Sequence, residues 1–372
     1  MRLVLFGVVA AFVLGTGSAK ADFTFGELTN LGATVNSVAL DLSPSLTGDG
    51  LELYFMSMRA SGPSNTGIWF TSRATTSDPW GEPKMIDLPG DSSEMYFDPD
   101  ISADGLSLYL NSSTRPDERY GFIDIYVSSR TTKNDAWSEP VNIGPPINTS
   151  FSESSSWIST DGLTLYFSGN PTANQSPQQE RPGGYGMADL WFTTKQTTER
   201  NPEGYWSEPQ NLGPVVNSSS LDAQPFVTDD ERILLFTSDR PGGYGSNDLW
   251  MTRRDSRDDE WGTPVNLGPV VNSAFEDAGP EISSDGSVLF FFSMRSGGQG
   301  LLDIWQAPII PIVDLNGDGI VNSDDMVIMV DYWGTDNCLC DIGPMPWGDG
   351  IVDVQDLIVL AEHLFEEFPL VQ

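Results

Sequence analysis

Up to Pro311 the chain is a succession of short apolar runs bounded by Gly, Asn, Asp and Ser, which predicts short strands joined by turns. One run recurs behind an Asp-Gly-type turn. It appears as Thr47-Gly-Asp-Gly-Leu-Glu-Leu-Tyr-Phe55, Ser102-Ala-Asp-Gly-Leu-Ser-Leu-Tyr-Leu110 and Ser159-Thr-Asp-Gly-Leu-Thr-Leu-Tyr-Phe167. Two further copies are Thr228-Asp-Asp-Glu-Arg-Ile-Leu-Leu-Phe236 and Ser283-Ser-Asp-Gly-Ser-Val-Leu-Phe-Phe291. The markers Asp49, Asp104, Asp161, Asp230 and Asp285 are spaced by 55, 57, 69 and 55 residues. Self-similarity at such a period is the mark of a repeat architecture. The longer third unit carries an insertion between Asn170 and Gly186.

A second apolar signature follows each marker: Gly67-Ile-Trp69, Asp124-Ile-Tyr126, Asp189-Leu-Trp191, Asp248-Leu-Trp250 and Asp303-Ile-Trp305. A third, an aromatic residue plus Pro, follows in four units, from Trp80, Trp137, Trp206 and Trp261. Three of these run into an Asn-(Leu/Ile)-Gly-Pro turn at Asn142, Asn211 and Asn266. With an extended stretch ahead of each marker, such as Pro280-Glu-Ile-Ser283, each unit reads as a four-stranded antiparallel sheet, a propeller blade. The fifth unit lacks its outer strand, and the matching segment, Phe25-Gly-Glu-Leu-Thr-Asn-Leu-Gly-Ala-Thr-Val-Asn36, stands at the other end of the chain. The N-terminal strand is therefore expected to complete the last blade, because closing the ring removes exposed sheet edges. The fold expected over residues 22–308 is an all-β five-bladed propeller. The Ser-x-Asp-Gly-x-x-Leu-Tyr-Phe and Asp-Ile-Trp signatures resemble TolB-like, WD-type (PD40-type) propeller repeats. That resemblance implies the fold, and since such folds host many tasks it implies no single function.

Charge narrows the partners. The 372 residues hold 53 Asp plus Glu against 18 Lys plus Arg, a formal net charge of −35, with one His. Nucleic-acid phosphates and anionic membrane faces are repelled by such a chain. A lone His363 cannot build a multi-His metal site. Residues 1–21 combine a basic start, an apolar run and small residues before Ala21, which reads as a secretory signal peptide. The apolar run is shorter than the roughly 20 residues a membrane span needs, so the protein is expected to be secreted or held at the cell surface rather than integral to a membrane. Only Cys338 and Cys340 are present, so no disulfide framework supports the exported chain.

The start of each innermost strand carries Asp41, Tyr96, Glu153, Asp222 or Asp277. Two readings stand for the four acids. They form a carboxylate ring that binds a cation or sugar hydroxyls and supplies the catalytic pair of a glycoside hydrolase, or each caps backbone N–H groups of its own turn. Near-equivalence among blades weighs against catalysis, which needs carboxylates in unlike environments. The recurrent Trp69, Tyr126, Trp191, Trp250 and Trp305 are expected to pack between sheets. Tyr185 and Tyr244, each within Arg-Pro-Gly-Gly-Tyr-Gly, are candidate ligand contacts, with the glycines alone making turns as the alternative.

After Pro311 the pattern changes. Asp314, Asn316, Asp318, Asn322 and Asp325 stand at positions 1, 3, 5, 9 and 12 of a loop with Gly319 at 6 and the carbonyl of Ile320 at 7, which is calcium-loop spacing. A second, incomplete copy matches with Asp349, Ile351, Asp353 and Asp356, and Asp341 serves as its first ligand if the residues between loop out. A helix is expected after each loop. Two such loops without leading helices resemble a type I dockerin over residues 314–366, preceded by a linker at 309–313 and followed by a tail at 367–372. The resemblance implies calcium as cofactor and a cohesin-type protein partner, selected in part by Ser323, Asp324, Val354 and Gln355. A calcium-stapled cap without a partner is the alternative. The combined expectation is an exported propeller that binds a glycan or protein and is tethered through a calcium-dependent module. A glycoside hydrolase and a structural assembly protein are the competing classes.

Overall fold

The structure, a computed structural model, describes residues 23–59, 66–90, 94–114, 120–170, 181–198, 201–311, 313–316, 320–335, 340–343 and 351–365. The expected signal peptide, residues 171–180 of the insertion, Asp318, Cys338, Asp349 and the tail lie outside them.

Five antiparallel sheets, one per repeat, make a five-bladed propeller. The first blade is typical: Asp41–Leu46, Glu52–Ser57, Gly67–Ser72 and Lys84–Met85 lie side by side in chain order. The innermost strands are Asp41–Leu46, Tyr96–Ile101, Ser152–Ile158, Asp222–Val227 and Asp277–Ile282. Each contacts the next and the last contacts the first, so the ring is closed. Closure is sealed as the sequence predicts. Thr29 and Asn30 pair with Gln306 and Trp305 of the strand Asp303–Pro311, and Phe23–Phe25 pair with Pro311–Ile309 of the same strand.

Leu53, Tyr54 and Phe55, with their counterparts Leu165, Tyr166 and Phe167, are almost wholly buried in the second strands. Both faces of these strands are covered by neighbouring blades, so their sequence is a continuous apolar run rather than an alternating one. A bulge breaks the register of each innermost strand after its first two or three residue pairs. Its left-handed residue is Ser43, Asp98, Ser155, Gln224 or Gly279, with φ between 45° and 62°. A bulge of this kind bends the strand and re-aims the side chains after it.

Two expectations are corrected. The segment 309–313 is not a free linker: Ile309–Pro311 extend the last blade against Phe23–Phe25, and Val313 is buried in the C-terminal core. The third blade owes its extra length to two sites rather than one, since Asp189–Thr198 continues into a hairpin with Asn201–Trp206.

The C-terminal part holds two helices, Ser323–Asp331 and Val354–Glu362, around a core that includes Val321, Met329, Cys340, Val352 and Leu360. Both start in a capping box, Asn322 with Asp325 and Asp353 with Asp356, which satisfies N–H groups the first turn leaves open. The two halves are related by reciprocal bonds: Gly334 N–H donates to Val352 O, and Phe365 N–H to Val321 O, each at 2.8 Å. No helix among the described residues is long and apolar enough to cross a membrane.

Candidate functional site

The four acids at the innermost strand starts are each 0% exposed and are occupied by their own blade. Asp41 accepts from Ser37 N–H at 2.5 Å and from Arg59 at 2.6 Å. Glu153 accepts from Thr149 N–H at 2.9 Å and from Arg181 at 2.8 Å. Asp222 pairs with Arg240 and Asp277 with Arg295, and both also accept backbone and hydroxyl hydrogens from Ser218 or Ser273. The turn-capping reading of these acids is the one their geometry fits. Each arginine also lies over the blade's own tryptophan, with Arg59 4.9 Å from the Trp69 ring and Arg181 4.7 Å from Trp191. The tryptophan row thus packs against cations rather than lining a binding face.

The two tyrosines have a related explanation. Tyr185 N–H donates to the Asp189 carboxylate at 2.6 Å, and Tyr244 N–H does the same to Asp248. Their rings are half-exposed, and neither lines the axial cavity described next. The Arg-Pro-Gly-Gly-Tyr-Gly segment is therefore a clamp: its Arg locks the first strand, and its turn wraps the Asp that opens the third.

At the opposite end of the innermost strands, beside the Asp-Gly turns, a cavity of about 220 Å³ opens on the propeller axis. Its wall includes Asp100, Trp157, Phe226 and Glu281, and its rim includes the exposed Thr160, Asp229 and Asp230. A narrow continuation of about 40 Å³ shares Asp100, Trp157 and Glu281 and runs inward past Asp98 and Ser156. The four wall residues, with Ser45, occupy one repeat position beyond the bulge, the fifth counted from Asp41, Tyr96, Glu153, Asp222 or Asp277. Round the ring the order is Glu281, Ser45, Asp100, Trp157, Phe226. One arc is polar and the other aromatic.

Within the polar arc each side chain bridges to the next blade. Glu281 accepts from Leu46 N–H at 2.9 Å, Ser45 from Ile101 N–H at 3.0 Å and Asp100 from Ile158 N–H at 2.9 Å. Burial pushes the carboxyls of Asp100 and Glu281 well above the usual carboxylate range, against those single backbone hydrogen bonds. Below them Asp98 accepts from Ser43 at 2.7 Å and from Ser155 and Asn111 at 3.1 Å, so the floor is a neutral hydrogen-bonded net around one acid. Sequence reasoning missed Asp98, Asp100 and Glu281. The signal was present in the fifth strand position, where copies of one unit carry Ser, Asp, Trp, Phe and Glu.

In the C-terminal part, the Asp325 carboxylate accepts from Asn316 N–H at 3.1 Å and from Asn322 N–H at 2.8 Å. Asp356 accepts from Gly343 N–H at 2.7 Å, Ile342 N–H at 2.6 Å and Asp353 N–H at 2.6 Å. Gly343 therefore takes the place of Asn316, and two residues earlier Asp341 takes the place of Asp314. The described donors are carboxylate and carbonyl oxygens, which suit a hard cation. Asp318 and Asp349, the expected fifth-position ligands, lie outside the described residues. Ser323, Asp324, Val354 and Gln355 are exposed on the first turns of the two helices, at equivalent places.

No family model matches the chain, and no curated protein matches it. Among solved structures it is similar to TolB from Acinetobacter baumannii, at 14% identity over 73% of this chain and a TM-score of 0.40. The match spans 54% of that TolB chain, less than two thirds of its length. It is also similar to an alpha-L-arabinofuranosidase from Podospora anserina, at 13% identity, 77% and 96% coverage and a TM-score of 0.49. An endo-arabinanase from Bacillus licheniformis matches at 15% identity, 74% and 95% coverage and a TM-score of 0.48. At these identities the likeness is one of fold alone.

Proposed function

We propose that the chain is an exported binding protein whose propeller seats a glycan in the axial cavity and whose C-terminal module, folded around calcium, tethers it to a cohesin-type partner. The observation that carries the first half is the split ring at the fifth strand position. Trp157 and Phe226 offer apolar surface, while Asp100, Glu281 and Ser45 offer acceptors, the pairing of groups that a sugar with one apolar face and a rim of hydroxyls needs. The second half is supported by the matched carboxylates Asp325 and Asp356 and by the exposed, equivalent first turns of the helices. Calcium there would be held by Asp314, Asn316, Ile320, Asn322 and Asp325 in one loop and by Asp341, Ile351, Asp353 and Asp356 in the other, together with Asp318 and Asp349. It would supply folding energy rather than reaction chemistry.

A glycan array probed with the full chain and with a Trp157→Ala variant tests the reading. Glycan signal that is lost in the variant supports it. Cohesin binding without any glycan signal would instead mark a structural assembly protein.

One observation favours a second reading, a glycoside hydrolase. Asp100 and Glu281 line one cavity with raised pKa values, and a retained proton is what a general acid needs. Reducing-sugar release that disappears in Asp100→Asn with the fold intact would favour the enzyme. In either reading the acting carboxylates are Asp100 and Glu281, and Asp41, Glu153, Asp222 and Asp277 hold the blades.

A further inference from the structure

Resting on the glycan-binding reading above, we propose that the axial cavity takes an amino sugar with a free ammonium group, its ring against Trp157 and Phe226 and its ammonium between Asp100 and Glu281. Asp100 is 5% and Glu281 7% exposed, each holds one backbone N–H of the next blade, and among the described residues no Lys or Arg pairs with either. Every other deeply buried acid described above has a guanidinium against it or at least two hydrogen-bond donors. Buried carboxylates are paired or neutralised, because an uncompensated charge in a dry site is costly. Glu281 also lies in the field of Asp100 and of the rim residue Asp229. A ligand cation answers that imbalance directly.

Two further observations point to the same ligand. The hydroxyl of Ser156, buried in the narrow continuation of the cavity, has no hydrogen-bond partner among the described residues. An ammonium and its neighbouring ring hydroxyls bring several donors to the acceptor oxygens of Asp100, Glu281 and Ser156. The aromatic arc supplies the rest: Trp157 and Phe226 meet edge to face, their centroids 5.8 Å apart. Such a wall suits the C–H face of a pyranose and gains cation–π attraction from a nearby ammonium. A neutral sugar offers the face without the charge. A uronate or sulfated sugar adds repulsion to a chain that already carries −35.

Calorimetric titration of the full chain in calcium, with four probes, tests the inference: a glucosamine tetramer, its N-acetylated form, a cellotetraose and a lysine-rich peptide. The glucosamine tetramer is expected to bind about tenfold or more tighter than the other three, and to weaken as salt rises. Asp100→Asn and Glu281→Gln keep shape and the bridging acceptor, and each is expected to cost about tenfold in affinity with no loss of urea midpoint. Equal or tighter binding of the N-acetylated or neutral oligomer overturns the ammonium inference and leaves the glycan reading standing. Binding of the peptide alone, or of none of the four, overturns both.

Discussion

Arg240 donates to the Asp222 carboxylate while its guanidinium lies 4.9 Å from the Phe236 ring and 5.3 Å from Trp250. The pair ties the loop after a blade's second strand to the start of its first. It recurs as Arg59 with Asp41 and Arg295 with Asp277. In the second blade the corresponding described positions carry Tyr96 and Thr114. Removing one member strands the other as a buried charge, so Arg240→Met is expected to cost about 3–5 kcal/mol in urea unfolding. Asp222→Tyr combined with Arg240→Thr, which copies the second blade, is expected to recover part of that loss. Strictly additive effects of the two substitutions would refute the coupling.

The last glycine of the clamp marks a contact between blades. A Cβ at Gly245 would collide with the carbonyl oxygen of Phe275, and one at Gly300 with that of Ala39 across the ring closure. Gly245→Ala is therefore expected to destabilise the propeller by about 2 kcal/mol or more, since backbone must shift on both sides. Denaturant melts of the purified variant measure it. Unchanged stability would mean that neighbouring blades slide apart without cost.

These two features show what the sequence makes legible. Blade number, strand order and ring closure follow from repetition, because every blade solves the same packing problem with the same residues. The role of Arg59, Arg181, Arg240 and Arg295 was also written there, as an Arg eight residues before Gly67, Asp189, Asp248 or Asp303. The candidate site was harder to read. Repetition drew attention to Asp41, Glu153, Asp222 and Asp277, whose equivalence reflects a structural duty. The cavity is built where copies disagree, and a bulge at Ser43, Asp98, Ser155, Gln224 and Gly279 decides which residues face the axis. No local periodicity announces that bulge in advance, since most of these residues pay a conformational cost for a left-handed φ.

Asp100 and Glu281 carry a pH signature. Burial raises both carboxyls well above their ordinary values in the folded chain. The folded state then keeps protons that the unfolded state releases, so the stabilisation is fully present below the unfolded carboxyl value, near pH ~4, and is lost as pH rises through the folded values. Unliganded wild type is thus expected to lose stability from about pH 4–5 upward relative to Glu281→Gln, in which one such group is removed. Urea unfolding of both proteins from acid to neutral pH measures the difference. A difference that stays flat, or that changes in the opposite sense, counts against an unpaired buried carboxyl at this position.

The bond from Gly343 N–H to Asp356 resembles the bond from Asn316 N–H to Asp325 in the first loop of the C-terminal module. If Asp341 stands where Asp314 stands, the module binds two calcium ions despite Met345 and Trp347 at the positions that linear counting assigns to ligands. Calorimetric titration of chelator-treated protein is expected to show two sites, with Asp341→Ala losing one and Asp325→Ala the other. Ion binding to the folded state alone adds stability by mass action, about 2.7 kcal/mol when free calcium exceeds Kd by about a hundredfold. Chelator should therefore lower the melting of the C-terminal module and leave the propeller transition in place, because Asp41, Glu153, Asp222 and Asp277 are each held by an arginine and a backbone N–H group. Identical melting of the module with and without chelator would falsify the calcium reading. A single site retained in Asp341→Ala would show that the residues after Asp341 do not loop out to complete the second site.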